Sequence, residues 1–229
     1  MPAWVSNLGY RIIVAVQLGL SLVKVSTRVQ SIDLVTNLVN KNQNRVRIIA
    51  GSLRGRIIDF PDAEGLRPSG DRVRETLFSW LQAYLPDSCC LDLFAGSGAF
   101  GFESLSRGAG HVVMLEKSPE VCQALGRNAE KMAAGNVMIK CGDAISLETL
   151  NSLGESGARR FDIVFIDPPF AMQLHQHAID QLVAADILAE NALIYLESAK
   201  RDAGVNVPSG WTLSREKVAG QVRMCLYTA

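Results

Sequence analysis

The sequence lacks three features that would assign a class of function at once. Its five cysteines include no C-x-x-C pair, so we predict no zinc site and no other metal site. Cys89, Cys90, Cys141 and Cys225 lie in apolar, strand-like runs and are expected to be small buried thiols in a reducing compartment. Lysine plus arginine and aspartate plus glutamate each number 23, so net charge alone predicts no anionic partner.

The sequence also lacks a long uninterrupted hydrophobic run. The apolar stretch from Ile12 to Val25 is interrupted by Gln17, Ser21 and Lys24, and it is too short and too polar for a membrane span. We therefore predict a cytoplasmic protein with no membrane partner. Residues 1–44 are predicted to be an extension of unknown role. The favoured explanation is a start codon assigned too far upstream, which a native N-terminal peptide from residues 1–40 would contradict.

What is present is enough apolar sequence for a sizeable core. Hydrophobic residues make up 48% of the chain and charged residues 20%, so residues 45–229 are predicted to form one folded domain. From residue 89 onward, strand-like and helix-like segments alternate, which predicts an α/β fold with a mostly parallel, doubly wound sheet. The predicted strands are 89–94, 111–116, 137–141, 161–167 and 192–197, and the predicted helices are 99–107, 119–132, 145–153 and 174–185. Residues 212–218 and 222–227 are predicted to form a C-terminal antiparallel hairpin.

The start of this domain is rich in arginine. Residues 45–50 and 56–60 alternate polar and apolar residues around Gly51–Gly55, which predicts a β-hairpin, and a loop runs on to residue 70. Asp71 is then predicted to cap the first helix of the core, 71–229. The planar guanidinium fork suits phosphate oxygens, although a solvated face would look the same. The candidate phosphate-binding residues are Arg45, Arg47, Arg54, Arg56, Arg72 and Arg74.

A glycine-rich loop follows the first strand of the predicted sheet. Gly96, Gly98 and Gly101 satisfy G-x-G-x-x-G, and Glu116 ends the next strand twenty positions after Gly96, as in NAD-binding proteins. However, Asp92 lies at the end of the first strand, and a carboxylate there suits a cationic ligand better than a pyrophosphate.

Two more acids, Asp143 and Asp167, end the third and fourth strands. Four acids at consecutive strand ends would repel a phosphate-rich ligand. They suit the ammonium, sulfonium, ribose diol and adenine amine of S-adenosylmethionine, so this cofactor is favoured over NAD.

The fourth strand ends in the tetrapeptide Asp167-Pro168-Pro169-Phe170. The two prolines lack backbone donors and fix the local backbone, which leaves the Pro168 carbonyl free to accept a hydrogen bond beside the Asp167 carboxylate. An exocyclic amine could be held by both acceptors while its ring stacks on Phe170. These four residues are the candidate catalytic residues.

With these motifs the chain resembles a class I S-adenosylmethionine methyltransferase, and more closely the bacterial 16S rRNA guanine-N2 methyltransferase family. Further markers are Leu53-Arg-Gly-Arg56, Leu66-Arg-Pro68, the run Asp71-Arg-Val-Arg-Glu-Thr-Leu-Phe78 and Arg215-Glu-Lys-Val-Ala-Gly-Gln221. The resemblance extends from about Arg45 to Tyr227 and implies a Rossmann-like fold with a seven-stranded sheet.

The resemblance also implies roles for individual residues. Asp92 and the loop containing Phe94, Ala95, Gly96 and Gly98 would cradle the methionine end of the cofactor. Glu116 would hold the ribose, and Asp143 would accept from the adenine amine beside Ala144. Arg67 to Ser69 would close over the cofactor, and the arginine hairpin would hold rRNA phosphates.

The expected reaction is methyl transfer to guanine N2 in 16S rRNA, within the small subunit or its assembly intermediate, by a monomer. No histidine base is required, and His175 and His177 are expected to be surface residues. The alternatives are a DNA adenine-N6 or protein glutamine methyltransferase, an NAD-linked oxidoreductase, or an RNA-binding assembly factor without activity.

Overall fold

The computed structural model describes residues 43–63, 69–155, 160–169, 174–202 and 204–229. Most of the predicted N-terminal extension, and with it the start-codon hypothesis, lies outside these residues, as do Arg67 and Phe170. The predicted domain boundary near residue 45 therefore stays a prediction. In the part of the chain that is described, no helix has the length and apolar character needed to cross a membrane.

The described residues form two sheets and several helices. The strands are β1 (Gln43–Arg47), β2 (Ile57–Pro61), β3 (Cys89–Asp92), β4 (His111–Glu116), β5 (Val137–Cys141), β6 (Phe161–Ile166), β7 (Leu188–Ala199), β8 (Thr212–Ala219) and β9 (Val222–Thr228). The helices are α1 (Asp71–Leu81), α2 (Ala99–Ser106), α3 (Pro119–Lys131), α4 (Leu147–Glu155) and α5 (His175–Ala184).

The larger sheet has seven strands in the order β5-β4-β3-β6-β7-β9-β8. The first five of these are parallel to one another, and β9 runs antiparallel to both β7 and β8. The strand order reverses between β3 and β6, and ligands of such sheets bind beyond the carboxyl ends of the strands at this point. The predicted Rossmann-like architecture, with its C-terminal antiparallel hairpin, is confirmed.

The two faces of this sheet are covered by different helices. Because side chains alternate along a strand, Ile163 and Phe165 of β6 face one side and Val164 and Ile166 the other. The first side packs against α1, α2 and α3, through residues such as Phe78. The second packs against α4 and α5. The face to which a side chain belongs therefore follows from its register in the sheet.

The predicted N-terminal hairpin is confirmed: β1 and β2 pair antiparallel, with Val46 opposite Ile58. The connection between them packs on α2. The Glu103 carboxylate accepts from the backbone amides of Ile49 and Ala50 at 2.8 and 3.0 Å. Gly51 has a φ of +83°, and an added Cβ would lie 1.8 Å from the carbonyl oxygen of Ser106. Only glycine allows so close an approach of the two backbones.

The structure corrects several local predictions. Cys141 is exposed, because β5 is the edge strand of the sheet. Asp71 does not cap α1: it is the first helical residue, Gly70 occupies the cap position, and the Asp71 carboxylate pairs with Arg74 instead. His175 is buried rather than exposed, and its Nε2 lies 2.7 Å from the carbonyl oxygen of Glu197.

Candidate active site

Carboxylates from four adjacent strands lie along the carboxyl edge of the sheet, on the face covered by α1, α2 and α3. Asp92 pairs in register with Met114 of β4 and Phe165 of β6, so Glu116 and Asp167 each lie two residues further along. Leu196 of β7 pairs with Ile166, which places Glu197 beside Asp167. The strand ends therefore bring together Glu116, Asp92 and Asp167, as predicted, and add Glu197.

Asp92 is deeply buried, with 1% of its surface exposed. Its Oδ2 accepts a hydrogen bond from the Gly101 amide at 3.2 Å. Burial raises the pKa of Asp92 to about 7, against the lowering effect of that hydrogen bond, and the charge of Glu116 adds a smaller increase. A cationic ligand beside this carboxylate would stabilise its ionised form.

Glu116 holds the glycine loop in place. One carboxylate oxygen accepts from the Gly96 amide at 3.0 Å, and the other accepts from the Ser118 amide at 2.7 Å. Gly98 is the N-terminal cap of α2, with a φ of +79°, and an added Cβ would lie 2.6 Å from the Leu125 side chain. The loop thus needs glycine at this position. Because a carboxylate has about four acceptor sites, Glu116 can still accept from ligand hydroxyls.

Asp143 follows β5 and belongs to the same edge of the sheet. Lys117 Nζ lies 2.7 Å from its Oδ2, and the Ile145 amide donates to its Oδ1 at 3.2 Å. Burial acts to raise the pKa of Asp143, but the contacts with Lys117 and Ile145 outweigh it, so the pKa is below its ordinary value. Asp143 is therefore an ionised acceptor next to the buried Ala144.

Asp167 stands at the corner where β6 meets the two prolines. The Ser69 hydroxyl donates to its Oδ2 at 2.9 Å. Burial, and then the nearby charge of Glu197, raise the pKa of Asp167 well above its ordinary value, although the Ser69 hydrogen bond lowers it. Pro168 is buried and Pro169 is half-buried. Phe170, the fourth predicted residue of the corner, lies outside the described residues.

Sequence reasoning included Ser69 in the stretch expected to close over the cofactor, but it missed Glu197 and its partner Tyr195. Glu197 has 3% of its surface exposed, and its Oε2 accepts from the Tyr195 hydroxyl at 2.7 Å. Burial also raises the pKa of Glu197, although hydrogen bonds from Tyr195 and Ser69 lower it. One signal was available: Glu197 ends an apolar run of β7, just as Asp167 ends that of β6.

The predicted phosphate-binding arginines divide into two groups. Arg45, Arg47, Arg54, Arg56 and Arg72 are exposed, and Arg45 also pairs with Asp59 at 3.1 Å. The exposed arginines therefore remain candidates for phosphate binding.

Arg74, in contrast, is fully buried. Its guanidinium donates to the Arg47 carbonyl at 3.0 Å and to Asp71 at 2.6 Å, and it lies 3.5 Å from Glu103. The prediction that Arg74 contacts phosphate is wrong, because this side chain joins α1 to the hairpin inside the protein.

The geometry fits S-adenosylmethionine better than a dinucleotide. Asp92, Glu116 and Asp143 lie along one edge and would offer acceptors to ammonium, ribose hydroxyl and adenine amine groups. A pyrophosphate on the glycine loop would lie close to the Asp92 carboxylate, and two negative groups at short range repel each other. Asp167 would then face the transferred group as an acceptor for an amine.

Comparison with known proteins assigns the chain to a family. The family model described as "Conserved hypothetical protein 95" matches residues 46–228. The chain is 44% identical over 188 residues to "Ribosomal RNA small subunit methyltransferase D" of Escherichia coli K12, covering 82% of this chain and 92% of that protein. A protein of the same name from Haemophilus influenzae is 44% identical over 185 residues, covering 81% and 94%. The solved structure of Escherichia coli yhhF is 43% identical, with a TM-score of 0.70, covering 81% of this chain and 98% of that one.

Proposed function

Because the chain belongs to the family described as "Conserved hypothetical protein 95" and is 44% identical to small-subunit rRNA methyltransferases, we propose that it methylates the exocyclic N2 of a guanine in 16S rRNA. The methyl donor is S-adenosylmethionine. The substrate is the small ribosomal subunit or its assembly intermediate, and the enzyme acts as a monomer in the cytoplasm.

The observation that carries this proposal is the Asp167 corner. The carboxylate stands at the end of β6, beside Pro168, on the same sheet edge as the proposed cofactor acceptors Asp92 and Glu116. An amine held by Asp167 and the Pro168 carbonyl would therefore lie next to the methyl donor. Phe170, which follows directly, is proposed to stack on the base, a contact worth about 1–3 kcal/mol in other proteins.

S-adenosylmethionine supplies an electrophilic methyl group, whose bond to sulfur breaks as the nitrogen lone pair bonds to its carbon. The task of the protein is to position the amine and to stabilise the positive charge that develops on it. The N2 lone pair is delocalised into the guanine ring, so acceptors at Asp167 and Pro168 favour the pyramidal, more nucleophilic nitrogen. Holding the amine and the methyl group in line lowers the activation barrier, because the reactants are already oriented. The Asp167 carboxylate lowers it further by stabilising the positive charge that develops on the nitrogen.

The exposed arginines of the hairpin are proposed to hold the RNA. The β1–β2 connection is anchored to α2 through Glu103, and the N-terminal end of α2 carries the glycine loop, so Arg54 and Arg56 keep a defined distance from the site. Because the target amine must reach Asp167, the guanine must be unpaired or flipped out of its helix.

The test is transfer of tritiated methyl groups from S-adenosylmethionine to small subunits from a strain that lacks the enzyme. We expect label at N2 of one guanine. Asp167→Ala is expected to abolish transfer while calorimetry shows nearly unchanged cofactor affinity. Label in DNA adenine or in a protein glutamine instead, or full turnover by Asp167→Ala, would overturn the proposal.

A further inference from the structure

The Ser69 hydroxyl lies between the half-buried Asp167 carboxylate and the buried Glu197 carboxylate. Its oxygen is 2.9 Å from Oδ2 of Asp167 and 3.2 Å from each carboxylate oxygen of Glu197. A serine hydroxyl has one proton to donate and can accept two hydrogen bonds. It can therefore satisfy only one of the two carboxylates as a donor. The other carboxyl group must carry a proton of its own if it is to face the hydroxyl oxygen without repulsion.

Glu197 is held in this position by its own strand and by α5. Its Oε2 accepts from the Tyr195 hydroxyl at 2.7 Å, and its backbone carbonyl lies 2.7 Å from Nε2 of His175. Within the described residues, neither Glu197 nor Asp167 forms an ion pair with a lysine or arginine. Two like charges this close, one of them buried and neither paired with a cation, are costly, and binding one proton between them removes much of that cost.

We propose that Asp167 and Glu197 share one proton through the Ser69 hydroxyl, and that Glu197 is a positioning residue that holds this proton when an amine donates to the Asp167 carboxylate. In this state the Glu197 carboxyl donates to Ser69 Oγ, and Ser69 donates to Asp167. The identity of the amine rests on the proposed function; the shared proton does not.

The shared proton also determines where the amine proton goes. When the amine has gained its methyl group, one N–H bond breaks, its electron pair returns to nitrogen, and the proton moves to the Asp167 carboxylate. Both carboxyl groups are then neutral. Loss of one proton to water after product release restores the singly protonated pair, so no histidine is needed.

Groups on several elements face the pair and contribute to its titration. Asp92 on β3 adds negative charge near Asp167. The Tyr195 hydroxyl on β7 donates to Glu197, and the pKa of Tyr195 is itself raised, first by burial and then by the Glu197 charge. His175 on α5 contacts the Glu197 carbonyl rather than its carboxylate.

The shared proton can be tested in the free protein by following the carboxyl carbons of Asp167 and Glu197 with ¹³C NMR as pH is varied. Two groups that share a proton titrate together in two macroscopic steps, which belong to the pair. We expect both carbons to report both steps. In Glu197→Gln and in Asp167→Asn, one step should disappear, and the single remaining step should lie below the higher step of the wild type, although burial keeps it above the ordinary carboxyl value. A separate single step for each carboxyl, with the Asp167 curve unmoved in Glu197→Gln, would overturn the inference.

The positioning role is tested by turnover with cofactor binding as the control for folding. Glutamine at position 197 mimics the protonated carboxyl, so Glu197→Gln should keep the methylation rate within about threefold, whereas Glu197→Ala should lose at least about tenfold. Ser69→Ala, which removes the bridge, should lose a similar factor while calorimetric cofactor affinity is retained. If Glu197→Gln is as slow as Glu197→Ala, Glu197 acts as a charge and the inference is wrong.

The two experiments separate this inference from the proposed function. Coupled titration in a protein that methylates no guanine would refute the function and leave the shared proton in place. Guanine methylation by a protein whose carboxyl groups titrate independently would refute only the shared proton.

Discussion

The Asp92 carboxylate accepts a hydrogen bond from the Gly101 amide at 3.2 Å, and this contact ties the end of β3 to the first turn of α2. It orients a buried carboxylate without neutralising it. The ionised form of Asp92 therefore destabilises the folded protein when no ligand is bound, and it is available to a cationic ligand.

Asp92→Asn is expected to increase the stability of the free protein and to weaken cofactor binding. The unfolded chain releases the Asp92 proton near pH 3.8, whereas the folded protein keeps it until about pH 7. Folding of the wild type therefore becomes less favourable as pH rises between these values. The gain in unfolding free energy from Asp92→Asn should be near zero at pH 3, grow to on the order of a few kcal/mol, and level off above pH 7.

Urea denaturation at several pH values measures this gain, and calorimetry measures the cofactor affinity. A gain that is independent of pH would contradict the assigned cause of the pKa shift.

Glu116→Gln is expected to weaken S-adenosylmethionine binding at least about tenfold, since an amide has one acceptor oxygen where the carboxylate offers two. One of the contacts with the Gly96 and Ser118 amides would also be lost. Glu120→Gln is the matched control, because Glu120 is an exposed acid in the first turn of α3. Equal dissociation constants for the two variants in calorimetry would remove Glu116 from the cofactor site.

Replacing Arg54 and Arg56 with glutamine is expected to weaken RNA binding and to reduce its dependence on salt. Each lost phosphate contact makes the negative slope of log K against log salt shallower by about 0.7–0.9. Arg160→Gln serves as the control, because Arg160 immediately precedes β6 and so lies at the opposite end of that strand from Asp167. Filter binding at several salt concentrations measures the slopes. If the double variant and the control match the wild type, the hairpin does not hold RNA.

Glu103→Gln is expected to lower the unfolding free energy by about 3 kcal/mol, because it leaves the charge of the buried Arg74 without its buried carboxylate. It should also loosen the connection between β1 and β2, whose Ile49 and Ala50 amides depend on both carboxylate oxygens. Asp186→Asn, which breaks the exposed pair with Arg160, is the control and should change stability little. Denaturant unfolding and amide exchange at residues 49 and 50 measure the two effects.

The elements that could be predicted from sequence are those whose ends are marked by turn residues or by a helix cap. The bounds of β4 and β5 match the predicted 111–116 and 137–141, since turn residues or a helix cap adjoin each apolar run. The acids at the ends of β3, β4 and β6 were also placed correctly, because parallel strands of one sheet share a carboxyl edge.

What sequence reasoning missed depends on contacts between distant segments. Glu197 is significant only because β7 lies next to β6, thirty residues away in sequence. Arg74 was assigned to the surface by its charge alone, although it shares the buried face of α1 with Leu77, Phe78 and Leu81. That spacing of three, four and seven residues was a readable sign of burial.

The seating of Gly51 against Ser106 has a consequence for which RNAs the enzyme accepts. Because the hairpin connection is fixed to the helix after the glycine loop, phosphates held by its arginines, as proposed, would lie at a set distance from Asp167. A guanine whose flanking backbone cannot cover that distance would then be a poor substrate, whatever its sequence context.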